Sequence, residues 1–85
     1  MKLWLNDDHA VKKEDIVGIF DMDSATVEKS TRDFLTAAEK EQRLTVATEE
    51  IPVSFIVTAD KNKHRIFLTR NAPRVIRRRV ELSGI

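Results

Sequence analysis

The sequence predicts a small α+β domain: short antiparallel strands, one main amphipathic helix and a short basic C-terminal helix. Three observations predict it. Brief runs rich in β-branched and aromatic residues are each bounded by polar turn residues, as in Ile16-Val17-Gly18-Ile19-Phe20 between Glu14-Asp15 and Asp21-Met22-Asp23. One long stretch, from Ala25 to about Gln42, carries apolar residues at helical spacing. A last stretch opens with Asn71-Ala72-Pro73, a helix-start pattern, and is dense in arginine. With 85 residues, the chain is a single domain, residues 1–85.

Leu3 to Leu5 reads as a first short strand, with Trp4 facing opposite to both leucines. Asn6-Asp7-Asp8 is turn chemistry, and Ala10 to Lys12 is a second short strand with Val11 inward. Ile16 to Phe20 is apolar on both of its faces, so it is expected as the central strand, covered on each side. Gly18 weakens a strand, which is expected where something approaches the backbone closely.

Asp21 to Ser24 ends that strand, and Ser24 is the expected helix cap. On the helix from Ala25, Val27, Thr31, Phe34, Leu35 and Ala38 share one face. Ser30 and Asp33 also match a capping box, which would start the helix near Thr31. Leu44 to Thr48 alternates as a strand, and Pro52 interrupts pairing before Val53 to Ala59. That run and His64 to Thr69 make an antiparallel hairpin around Asp60-Lys61-Asn62-Lys63. Phe55 and Val57 share a face of one strand, Ile66 and Leu68 a face of the other. In the last helix, capped by Asn71, Val75, Ile76 and Val80 form a narrow apolar stripe, and residues 79–85 are expected as a frayed tail.

Composition narrows the function. There is no cysteine, so disulfides and thiolate metal sites are excluded. No apolar run approaches the ~20 residues of a membrane span. A cytoplasmic location is expected. A chain this short buries only about 60–65% of its unfolded surface, so self-association is the expected additional source of stability.

Residues 1–60 hold 7 Lys and Arg against 13 Asp and Glu, whereas residues 61–79 hold 8 Lys and Arg and no acid. An acidic body with a basic end binds a polyanion, or pairs its end with a neighbour's body. Arg74, Arg77 and Arg78 fall at i, i+3 and i+4 of the last helix and share a face. Arg70 precedes them, and Lys61, Lys63 and Arg65 belong to the adjacent hairpin. Like charges so spaced repel unless an anion lies opposite, and arginine matches phosphate geometry. The candidate nucleic-acid-binding set is Arg74, Arg77, Arg78, Arg70, Arg65 and Lys63. A solvated face, or an arginine clamp on an acidic neighbour, explains the same residues. Of the aromatics, only Trp4 is left outside the expected core to stack a base.

Other chemistry is poorly supported. His9 and His64 lack ligand-spaced partners, and Asp7-Asp8-His9 reads as a solvated turn rather than a cation site. Two glycines are too few for a phosphate loop. Asp21 and Asp23 cap a helix more simply than they serve as an acid pair. No catalytic residue, cofactor, metal or small-molecule substrate is expected.

One collinear set of residues resembles a known family: Val11-x-x-x-Asp15-Ile16-Val17-Gly18-Ile19-Phe20-Asp21, Thr31-Arg32-Asp33-Phe34-Leu35, Ala38-Glu39-Lys40-Glu41, Pro52-x-Ser54-Phe55-Ile56-Val57-Thr58 and Ile66-Phe67-Leu68-Thr69. In this order they resemble the small bacterial extracellular-matrix regulators RemA and RemB, closest to RemB, over about residues 2 to 80. The resemblance implies a non-enzymatic cytoplasmic regulator of biofilm matrix genes; RemA-type members bind DNA and assemble head to tail into rings. A homo-oligomer, a ring and double-stranded DNA are therefore the implied partners. The DNA-contacting arginines of RemA-type members fall here on Asp15, Ile51 and Pro52, with Glu49 and Glu50 alongside. That DNA surface is not implied for this chain, which leaves the Arg74, Arg77 and Arg78 face. The rival expectation is an oligomeric scaffold module that never touches nucleic acid.

Overall fold

In the computed structural model, which describes residues 2–6, 8–61 and 63–82, the chain begins with β1 (Lys2–Trp4) and β2 (Ala10–Lys12). A 3-10 turn (Lys13–Asp15) leads to β3 (Ile16–Asp21), followed by α1 (Met22–Ala25) and α2 (Lys29–Lys40). Then come β4 (Leu44–Val46), β5 (Ser54–Asp60), β6 (Lys63–Thr69) and α3 (Pro73–Leu82). The α+β class is as the sequence predicts. β1 and β2 form an antiparallel ribbon, and the other strands form one sheet in the order β3-β5-β6-β4. The sheet is mixed rather than purely antiparallel, because β4 runs parallel to β6.

Period-two alternation assigns side chains to the two sheet faces. On one face Ile56 meets the ribbon residues Leu3, Leu5 and Val11 and the α3 residue Ile76, with Ile19 and Phe67 packed alongside. On the other, Phe55, Val57 and Ile66 meet Ala38 and Leu35 of α2. Trp4 is exposed while Leu3 and Leu5 are buried, as their alternation requires.

The expected central strand is an edge strand. Among the described residues β3 pairs only with β5, and every residue from Ser54 to Thr58 is buried, so β5 and β6 hold the middle. Ile16 pairs with Thr58 and Gly18 with Val57, which leaves Val17 as the extra residue of a bulge. Val17 is 63% exposed and Phe20 42%. A Cβ on Gly18 would stand 2.6 Å from the Phe20 ring, so the close approach at this glycine comes from two residues along its own strand.

The single long helix is interrupted at residues 26–28. Asp21, not Ser24, is the cap: its Oδ1 accepts from the Ser24 N–H. The Arg32 guanidinium donates to the carbonyls of Thr26 and Val27 at 2.7 and 2.8 Å, satisfying backbone that the break leaves open. Val27 leaves the expected apolar face and is 74% exposed. α2 stops with Gln42 at φ 60°, the left-handed conformation usually given to glycine, while Gln42 and Arg43 return N–H groups to Glu39 and Ala38.

Asn71 does not cap α3. Its side-chain amide turns back to Thr69 Oγ1, and the first helical carbonyl is that of Ala72. The tail expected over 79–85 is helical through Leu82, and residues 83–85 lie outside the described residues. No described helix is long and apolar enough to cross a membrane.

Candidate nucleic-acid interface

The buried Ile76 anchors α3 to the sheet, so its opposite surface faces solvent. Arg74, Arg77 and Arg78 are exposed there and line one shallow hollow with Val75 and Glu81. Arg77 is tethered: its Nη2 donates to the Ile19 carbonyl of β3 at 3.1 Å. The ion pairs among the described residues are Lys29–Asp33, Arg43–Glu41 and Arg70–Glu50; Arg74 and Arg78 belong to none of them. Three guanidinium groups on one helix face, one fixed in direction, can grip successive phosphate oxygens.

The other expected contacts divide. Arg70 is held by Glu50, Nη1 to Oε2 at 2.9 Å, at the rim of a hollow that also presents Asp8 and Glu49. Lys63 and Arg65 lie around the tip of the β5–β6 hairpin, in a separate cleft with Lys12 and Lys61. The structure thus groups Arg74, Arg77 and Arg78, groups Lys63 with Arg65, and sets Arg70 against an acid. Lys12 joins the hairpin cluster from β2, which no local spacing reveals. The Glu14 carboxyl beside it is lowered from its ordinary value chiefly by a backbone hydrogen bond at Glu14, with the charge of Lys12 adding to it.

The remaining polar candidates have structural work. Asn6 Oδ1 accepts from the N–H groups of Asp8 and His9 and lies 3.1 Å from His9 Nδ1, and Asp7 lies outside the described residues. Asp21 caps α1. His64 lies on the α2 side of the sheet and lines an apolar cleft of about 360 Å³ with Val17, Phe20, Phe34 and Val57. The sequence reading placed Phe34 and Phe20 in the core. They are instead partly open, because α2 crosses the sheet without covering the β3 edge.

No family model matches the chain, and no curated protein matches it.

Proposed function

We propose that this chain is a small non-enzymatic bacterial regulator of extracellular-matrix gene expression, a cytoplasmic homo-oligomer that binds duplex-DNA phosphates through α3. The observation that carries the DNA contact is the shared, unpaired exposure of Arg74 and Arg78 beside the tethered Arg77. The resemblance to the matrix regulators supplies the cellular role. Self-association is supported by the open β3 edge and the half-exposed Val17, Phe20 and Phe34 next to it, an apolar strip that water penalises.

Duplex DNA titrated at several salt concentrations tests the contact. Each phosphate neutralised contributes about 0.9 to the log–log salt slope. Affinity that falls with rising salt at this slope, and that Arg74→Glu with Arg78→Glu abolishes, is the expected result. No binding at low salt, or binding indifferent to that pair of substitutions, removes the reading. In the same protein, Val17→Lys is expected to shift sedimentation towards the monomer at unchanged stability.

The acidic hollow around Glu49 and Glu50 favours a second reading, a scaffold in which α3 of one copy docks on the hollow of the next. Arg70 already shows that this hollow accepts a guanidinium. Sizing at low and high salt separates the two, since an electrostatic self-contact loosens with salt and an apolar one does not.

A further inference from the structure

β5 and β6 are seven residues long, whereas the ribbon strand lying over their face has three. The hairpin therefore outruns its cover. The same sheet face carries the buried Thr58 opposite the exposed Arg65 and, beyond the cover, Asp60 opposite Lys63. The resulting cleft, about 370 Å³, is bounded by Lys12 of β2, Asp15 of the 3-10 turn and Lys61 at the hairpin tip.

Lys61, Lys63 and Arg65 take part in no ion pair among the described residues, although Asp15 and Asp60 line the same cleft. Positive charges gathered from a turn and a strand, and not spent on nearby carboxylates, repel one another unless an anion sits among them. Lys61 also holds φ 51°, a left-handed conformation that favours glycine or asparagine, so a lysine stands there at a conformational cost. The inner wall is apolar: Phe67, half-buried, offers a surface for the uncharged part of a ligand, with the buried Val11 behind it.

We propose that this cleft binds a small phosphorylated molecule of the nucleoside-diphosphate kind. Lys61, Lys63 and Arg65 take the phosphates, with Lys12 completing the positive wall. Asp15 and Asp60 accept from ligand hydroxyls, and Phe67 lies against the base or sugar. A volume in this range suits a compact ligand. The two carboxylates disfavour a nucleic-acid strand running through, because its continuing phosphates would meet them. The site is separate from the α3 arginines and does not depend on their role.

The test is calorimetric titration of the full chain with ADP, pyrophosphate and adenosine at physiological salt, with amide NMR mapping. One-to-one saturable binding of ADP and pyrophosphate is expected, with little for adenosine and with shifts at Thr58, Lys61 and Arg65. Lys63→Ala with Arg65→Ala should weaken ADP by roughly tenfold or more, and Arg74→Ala with Arg78→Ala should leave it unchanged. Lys61→Ala, a turn substitution outside the core, gives the same readout if the double variant fails to fold. Absent saturation, equal loss in both double variants, or adenosine binding as well as ADP overturns the proposal. So does a duplex whose binding needs Lys63 and Arg65 while ADP does not bind.

Discussion

The ring of Phe20 stacks on that of Phe55, centroids 5.1 Å apart and planes 23° from parallel, and it occupies the space above Gly18. The glycine is thus explained by an aromatic pair, not by the backbone angle. An alanine at position 18 gains about 0.4–1 kcal/mol by restricting the unfolded chain. It also displaces the Phe20 ring from a stack worth about 0.5–1.5 kcal/mol. Gly18→Ala is expected to be neutral to mildly destabilising alone, and stabilising when Phe20 is already leucine. A double-mutant cycle by urea denaturation measures the coupling; additive effects would dissociate the glycine from the ring.

On the proposed reading, the Glu50 carboxylate that holds Arg70 competes with duplex phosphates for it. The pair is open to water, each side chain 61% exposed, and contributes about 0.2–1 kcal/mol to stability. Releasing it frees a cation. Glu50→Gln is expected to tighten DNA binding at low salt and to raise the salt slope by up to about 0.9, with a barely changed melting temperature. Arg70→Ala should weaken binding less than Arg78→Ala does. Fluorescence anisotropy over a salt series distinguishes them.

Ser54 secures the approach to α3. Its buried hydroxyl donates to the Asn71 carbonyl at 2.6 Å, just before the helix begins. Ser54→Ala leaves that carbonyl without this donor in a part-buried place, at about 1–3 kcal/mol. For a domain of this size each kcal/mol lowers the melting temperature by about 4–8 °C. Calorimetry checks the loss. Weaker DNA binding by the folded variant would show that the direction of α3 matters as well as its charge.

What the sequence made legible was local. Alternation set Trp4 opposite Leu3 and Leu5, turned Val11 inward, and put Phe55 with Val57 and Ile66 with Leu68 on shared strand faces, which the structure brings together in one core. Helical spacing gathered Arg74, Arg77 and Arg78, since residues at i, i+3 and i+4 of one helix share a face whatever the rest of the fold does. What escaped was non-local. An apolar five-residue run looks the same at a sheet centre and at an edge, and the competition between β3 and β5 was decided by β5 being buried from Ser54 to Thr58. The break in the long helix depends on Arg32 reaching back to Thr26 and Val27. Grouping Lys12 with Lys63 requires the ribbon to fold over the hairpin. The engagement of Arg70 by Glu50 likewise joins positions far apart in the chain.

Leu3 and Ile76 close the same cluster over Ile56, one from the first strand and one from the last helix. During synthesis, that side of the sheet is only partly covered by the ribbon until α3 has left the ribosome, so the domain is expected to acquire its full stability late. Fragments lacking either element would expose the same greasy sheet face, which makes them targets for degradation rather than functional shorter forms.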